Sequence, residues 1–213
     1  MMIFKNNSFS SFSFSVFFEP TDMLIANKPF EINNGDLSKV IKFISPNIYE
    51  LGAIAQHFGA SGISFDEISR LQERKDILEI TSEMCQVILP HVDTIILTLG
   101  RHGVIIATKN SLGKVFFQLE GNIPKYSVGR GKCSGRFYQA EKIDNLMSVS
   151  GAGDSFASGF IAAMLAGKSE PICVSVGFEA AKLTLQTHNT VPENFFASNH
   201  QCWRCPIPSE EIF

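Results

Sequence analysis

A chain of 213 residues, 45% hydrophobic and 18% charged, has room for one domain with a sizeable core. Its formal net charge of -3 gives no long-range attraction for nucleic acid or an anionic membrane, so any bound anion must be held locally. Five cysteines, an odd number at no framework spacing, argue against a disulfide-stapled fold and point to reduced thiols in a cytoplasmic protein.

The first ten residues read as a ragged end, and serines interrupt the Phe-rich start, so it lacks the continuous apolar core of a signal peptide. Nowhere does the sequence hold the roughly eighteen consecutive apolar residues of a membrane span. Phe12, Phe14 and Val16 alternate with Ser11, Ser13 and Ser15, the period of a half-buried strand whose Phe stripe is core. Glu19 to Asp22 reads as a turn around Pro20. Leu37, Val40, Ile41 and Ile44 predict a helix over 36–44 with Asp36 as N-cap. A second helix starts at Pro46, carries Leu51, Ile54, Ala55 and Phe58 as a stripe, and ends at Gly59. Residues 66–89 read as one longer helix.

A strand over Thr94 to Leu99, a turn from Gly100 to Gly103 and a strand over Val104 to Thr108 follow. Gly113 to Leu119 is another candidate strand, and Gly121 to Arg136 reads as a loop. Phe156, Phe160 and Met164 then mark a helix ended by Gly167. A last helix, over 171–186, carries Val174, Phe178, Ala181 and Leu185 on one face. Strands alternating with helices imply an α/β fold with a mainly parallel sheet, and neither an internal repeat nor a dividing linker is visible.

The stretch SVSGAGDSFASGF, residues 148–160, places Gly151, Ala152, Gly153 and Asp154 where a loop becomes a helix. The first turn of a helix leaves backbone N–H groups without partners, and glycine lets an anion approach them. Asp154 would then be a hydrogen-bond acceptor beside an anion cradle; taken alone, the turn reads more simply as one in which Asp154 caps the helix or complements its dipole. Two other phosphate motifs fail. A dinucleotide-binding fingerprint needs a third glycine where Phe156 stands, and Gly131-Lys132 lacks the upstream glycine of a P-loop (Tyr126) and its Ser/Thr (Cys133). Cys202-x-x-Cys205 has no second cysteine pair, and His57, His91, His188 and His200 show no ligand spacing, while His102 in the glycine turn is placed to touch phosphate but reads more simply as a solvated loop histidine.

SGAGDSFASGF resembles the C-terminal signature of the PfkB family, the ribokinase-like carbohydrate and nucleoside kinases. Two further motifs stand in that family's order: SPNIYEL is similar to its N-x-x-E element at Asn47 and Glu50, and LTLGRHG to its T-x-G-x-x-G turn at Thr98, Gly100 and Gly103. The resemblance runs from about residue 17 to about residue 193, leaving 1–16 as a ragged or replaced segment and 194–213 as a C-terminal tail. It implies a ribokinase-like three-layer αβα sandwich. It implies ATP-dependent phosphorylation of a hydroxyl, with Asp154 as general base and the amides of Gly151, Ala152, Gly153 and Asp154 as anion hole. Asn47 and Glu50 would position Mg²⁺ and its waters, a role that competes with simple capping of a solvated helix turn. Thr98, Gly100 and Gly103 would contact the nucleotide, unless the turn is only a hairpin. Ala181, Thr184 and Asn189 fall where the family's last helix and adenine-flanking loop lie.

Many members hold a monovalent cation near this loop, but Ser148 replaces the usual carboxylate. FFEPTD, SPNIYELGAIA and SVSGAGDSF look most like the pseudouridine kinase branch, ahead of ribokinase and adenosine kinase. The implied partners are ATP and a small sugar or nucleoside, with no nucleic acid polymer and no membrane, and with a homodimer or an N-terminal half completing the protein. The family's N-terminal half, which supplies the lid and most sugar contacts, is expected to be missing. An inactive nucleotide-binding remnant is therefore the alternative to a kinase.

Overall fold

The computed structural model describes residues 2–6, 13–31, 39–61, 64–110, 114–121, 123–127 and 131–213, with backbone alone for 2–6, 13 and 14. In chain order the elements are β1 (Met2–Asn6), β2 (Ser13–Phe18), α1 (Lys28–Glu31), β3 (Ile41–Ile44), α2 (Ile48–His57), α3 (Phe65–Arg70), α4 (Arg74–Ile88), β4 (Thr94–Thr98) and β5 (Gly103–Thr108). There follow β6 (Phe117–Glu120), β7 (Ile123–Tyr126), β8 (Ser134–Gln139), α5 (Ala152–Leu165), α6 (Glu170–Leu185) and β9 (Glu210–Glu211). Two compact units contain them: Met1–Asn110 with Val128–Phe137 and Glu210–Phe213, and Ser111–Ser127 with Tyr138–Ser209.

The first unit is built on a mixed sheet of order β1-β2-β3-β4-β5-β8-β9. The pairs β2–β3 and β3–β4 are parallel, while β1–β2, β4–β5 and β8–β9 are antiparallel. TIILT and GVIIAT are runs rich in β-branched residues without polar alternation, the mark of strands covered on both faces, and β5 is buried along its whole length. Thr94 and Thr108 sit opposite each other in the β4–β5 register and share a buried hydroxyl hydrogen bond of 3.0 Å. Leu51 and Ile54 of α2 and Met84 and Ile88 of α4 close the core with Ile44, Ile95 and Leu97.

The helix expected over 36–44 is not formed where the chain is described. Ile41–Ile44 is strand β3, wedged between β2 and β4, and the first part of that expectation, 36–38, lies outside the described residues. Three buried apolar residues around a half-buried Lys42 carry no period that separates helix from strand, and pairing with two neighbours decided it. The single helix expected over 66–89 is two. A capping box between Ser64 and Glu67 fixes the start of α3, Leu71 leaves the helical region (φ -66, ψ 120), and α4 begins at Arg74. Met2–Asn6, read as a ragged end, pairs antiparallel with β2.

In the second unit the segment read as a loop holds β7, which pairs with β6 around Gly121 (φ +66), while β8 overlaps its far end. Pro124 hid this strand, but a two-stranded ribbon tolerates it on an edge. Helices α5 and α6 pack at glycine contacts. A methyl on Gly159 would lie 2.9 Å from the Val176 carbonyl oxygen, and one on Gly177 would lie 2.7 Å from the Phe156 ring. Phe156 also packs on Phe160 and Phe178, with ring centroids 6.1 and 5.6 Å away. Gly167 ends α5 with φ +68.

Candidate active site

Asn47 is the N-cap of α2. Its Oδ1 accepts the backbone N–H groups of Tyr49 at 2.9 Å and Glu50 at 3.0 Å, while Glu50 Oε2 accepts the Asn47 N–H at 2.8 Å. The N-x-x-E spacing therefore makes a reciprocal capping box. Its acid is not solvated, however: Glu50 is 5% exposed. Burial pushes its carboxyl above the ordinary value, and the negative charge of Asp22 adds to this; the Asn47 hydrogen bonds act the other way.

Thr98 meets Asn47 in a parallel bridge and donates its N–H to the Pro46 carbonyl at 3.0 Å, so the end of β4 lies beside the start of α2. Asn47, Thr98 and Gly100 line one groove of about 450 Å³ with Ile68, Leu71 and His102. Gly100 (φ +55) is exposed, with open space where a Cβ would project, and it begins a 3-10 turn over Gly100–His102. Gly103 ends that turn at φ 124, ψ -143, a region open essentially to glycine, and its carbonyl accepts the Leu99 N–H at 2.9 Å. Gly103 is buried and shapes the turn from behind.

The second unit holds the other candidates. Gly151 takes the left-handed conformation (φ +78) as N-cap of α5, and a Cβ there would collide with the Thr190 carbonyl. It supplies no capping side chain, and the first regular helical bond is Ser155 N–H to Gly151 O at 2.9 Å. The amides of Gly153 and Asp154 therefore lie in a first turn with no intrahelical acceptor, whereas the Ala152 N–H reaches the Val149 carbonyl at 3.4 Å. Nothing lies within 4 Å of where a Cβ on Gly153 would stand, and Asp154 is exposed beside it. The start of α5 has the form of an open anion cradle with a carboxylate at its rim.

Not every residue expected at a nucleotide is presented to one. Thr184 is fully buried and its hydroxyl donates to Ser155 Oγ at 2.7 Å, so its place is between helices rather than at a ligand. Position along α6 does not reveal which face packs on α5. Ala181 is half-buried on α6, and Asn189 is exposed, its N–H donating to Thr187 Oγ1 at 3.2 Å. Ser148 Oγ accepts the Ser150 N–H at 3.2 Å, folding the residue at the family's cation position back on its own loop. Asp22 and Leu71 were missed as neighbours of the first cluster, and His102 of the glycine turn does line its groove. Only the sequence FFEPTD hinted at Asp22, and nothing in the apolar stripe of Ile68 and Leu71 marked them as groove residues.

The donor set bears on Mg²⁺. Among the described residues no group of three His, Cys, Asp or Glu side chains converges as a metal cage. A single carboxylate, Glu50, with Asn47 beside it, suits an ion that keeps most of its waters and takes its remaining ligands from phosphates.

The model of the pfkB family of carbohydrate kinases matches residues 34–194. This chain belongs to that family. It is 28% identical to a pseudouridine-metabolizing bifunctional protein from Schizosaccharomyces pombe, over 71% of this chain and 23% of that protein. Among solved structures, a ribokinase from Cryptococcus neoformans in complex with ADP superposes with a TM-score of 0.56 at 21% identity, over 84% of this chain and 50% of the other. An adenosine kinase from Anopheles gambiae in complex with P1,P4-di(adenosine-5) tetraphosphate gives 0.53 at 16% identity, over 85% and 46%. These likenesses establish the α/β ribokinase-like fold. The chain spans about half the length of these solved relatives and under a quarter of the curated one.

Proposed function

We propose that this chain carries the phosphate-handling part of an ATP-dependent kinase acting on a hydroxyl of a sugar or nucleoside, with pseudouridine the favoured acceptor. The observation that carries the reading is the start of α5, where unpartnered amides and an exposed carboxylate share one helical turn. Family membership supports the reaction class, and the printed name of the Schizosaccharomyces pombe relative supports the acceptor.

In this reading Asp154 takes the proton of the acceptor hydroxyl as its oxygen bonds to the γ-phosphorus and the bond to the β-phosphate oxygen breaks. The amides of Gly153 and Asp154, with that of Ala152, hold the charge on the transferring oxygens, a fixed set of donors that need not reorganise. Thr98 and Gly100 offer a hydroxyl and bare backbone to the nucleotide. Asn47 and Glu50 would orient the waters of a hydrated Mg²⁺, which would neutralise phosphate charge when bound.

ATP consumption measured with pseudouridine, ribose and adenosine, for the wild type and Asp154→Asn, tests this. Pseudouridine-dependent turnover that falls by ~10²–10⁴ in the variant is the expected result. Equal turnover by both proteins removes Asp154 from the role of base. A second reading, nucleotide binding without transfer, is favoured by the engagement of both Asn47 and Glu50 in the capping box. Retained ATP binding with no turnover by either protein selects it.

A further inference from the structure

The C-terminal segment of the second unit carries a set of groups the transfer reaction does not use. Cys202 lies in a 3-10 turn over Gln201–Trp203 that ends at Arg204 (φ -133, ψ -25), and Arg204 and Cys205 both donate backbone N–H to the Gln201 carbonyl at 2.9 Å. The turn folds Cys205 back beside Cys202, close enough for its charge to act on the Cys202 thiol. A disulfide needs their Cβ atoms about 3.8 Å apart. Cys202 is buried and Cys205 exposed, and both are reduced.

The histidine beside them is already oriented. His200 Nδ1 lies 3.2 Å from Cys202 Sγ and accepts the Cys202 backbone N–H at 3.4 Å, so Nδ1 carries the lone pair and the ring proton is assigned to Nε2. Nε2 lies 3.9 Å from Glu179 Oε1 of α6. Between the cysteines, the Trp203 indole N–H is buried with no acceptor among the described residues. Such orphaned donors are rare and recur where strain or redox chemistry is held.

We propose that Cys202 and Cys205 form a reversible redox dithiol, in which exposed Cys205 exchanges with small-molecule disulfides and buried Cys202 closes the bridge with His200 as proton acceptor. The thiolate of Cys205 attacks a disulfide such as oxidised glutathione, forming a mixed disulfide and releasing one glutathione thiolate. Cys202 gives its proton to His200 Nδ1, attacks the Cys205 sulfur and expels the second glutathione, which takes that proton from His200. Two protein thiols are oxidised and one glutathione disulfide is reduced to two thiols. The base is needed because burial, then the Glu179 charge, pushes the Cys202 thiol up to about 11. Cys85 and Cys173 are buried, and the exposed Cys133 serves as an internal control with no neighbouring cysteine in its turn.

The full chain, equilibrated with glutathione redox buffers, quenched by alkylation and mapped by mass spectrometry, tests the assignment. Expected is a Cys202-to-Cys205 peptide that lacks two hydrogens, resists alkylation and reopens with excess reduced glutathione. Cys202→Ser should stop at glutathione on Cys205, and Cys205→Ser should leave Cys202 unmodified. His200→Gln should prolong the mixed disulfide on the order of a hundredfold, as expected for loss of a positioned base. Persistent glutathione on wild-type Cys205, a bridge to Cys133 instead, or an unchanged lifetime in His200→Gln would overturn it. The readout is independent of kinase turnover.

Discussion

Thr184 Oγ1 of α6 donates to Ser155 Oγ of α5 across 2.7 Å, inside the protein and one residue after Asp154. The hydroxyl expected at a nucleotide instead fixes the helix that presents the carboxylate.

Thr184→Val should therefore lower stability by about 1–3 kcal/mol, because it strands the buried Ser155 hydroxyl. Urea unfolding would measure this, and Thr184→Ser should recover most of it. Adding Ser155→Ala to Thr184→Val should cost less than the sum of the single changes, the signature of a direct pair.

Gly151 and Gly153 should respond oppositely. Gly151→Ala forces a side chain to φ +78 and against the Thr190 carbonyl, and should destabilise by at least about 1–3 kcal/mol. Gly153→Ala enters open space in a helix and should gain about 0.5–1 kcal/mol, yet it places a methyl in the proposed phosphate cradle. Parallel urea melts and ATP-turnover assays should show stability and activity parting company at Gly153.

Glu50 gives a pH dependence. Its carboxyl lies above the ordinary 4.5 because of burial, so the folded chain holds that proton more tightly than the unfolded one. Its contribution to stability is fully present below pH 4.5 and is lost as pH rises through the elevated folded value. Glu50→Gln keeps an oxygen for the capping box and should remove this part of the pH–stability curve while lowering Mg²⁺-dependent turnover. Unfolding followed from pH 4 to 8 on both proteins checks it, and identical curves would show that Glu50 does not titrate in this range.

Deleting residues 210–213 should promote association. Glu210 and Glu211 pair with Phe137 and Arg136, the Phe213 carbonyl accepts the Gly135 N–H at 3.0 Å, and Gly135 admits the Phe213 ring where a Cβ would collide with it. Their loss uncovers the edge of β8, an unpaired template for another chain. Light scattering should report larger species than for the full chain.

Residue types and spacing alone determined the three ordered motifs, the helices after Pro46 and after Gly151, and the strand–turn–strand at 94–108, because each is a local pattern with its own punctuation. Only the tertiary structure decided that Ile41–Ile44 is a strand, since a short apolar run acquires its identity from the strands on either side. The same holds for the break at Leu71, the burial of Glu50 and Thr184, and Asp22 as a neighbour of Glu50. Burial and distance between residues remote in sequence are set by packing, and no periodicity along the chain encodes them.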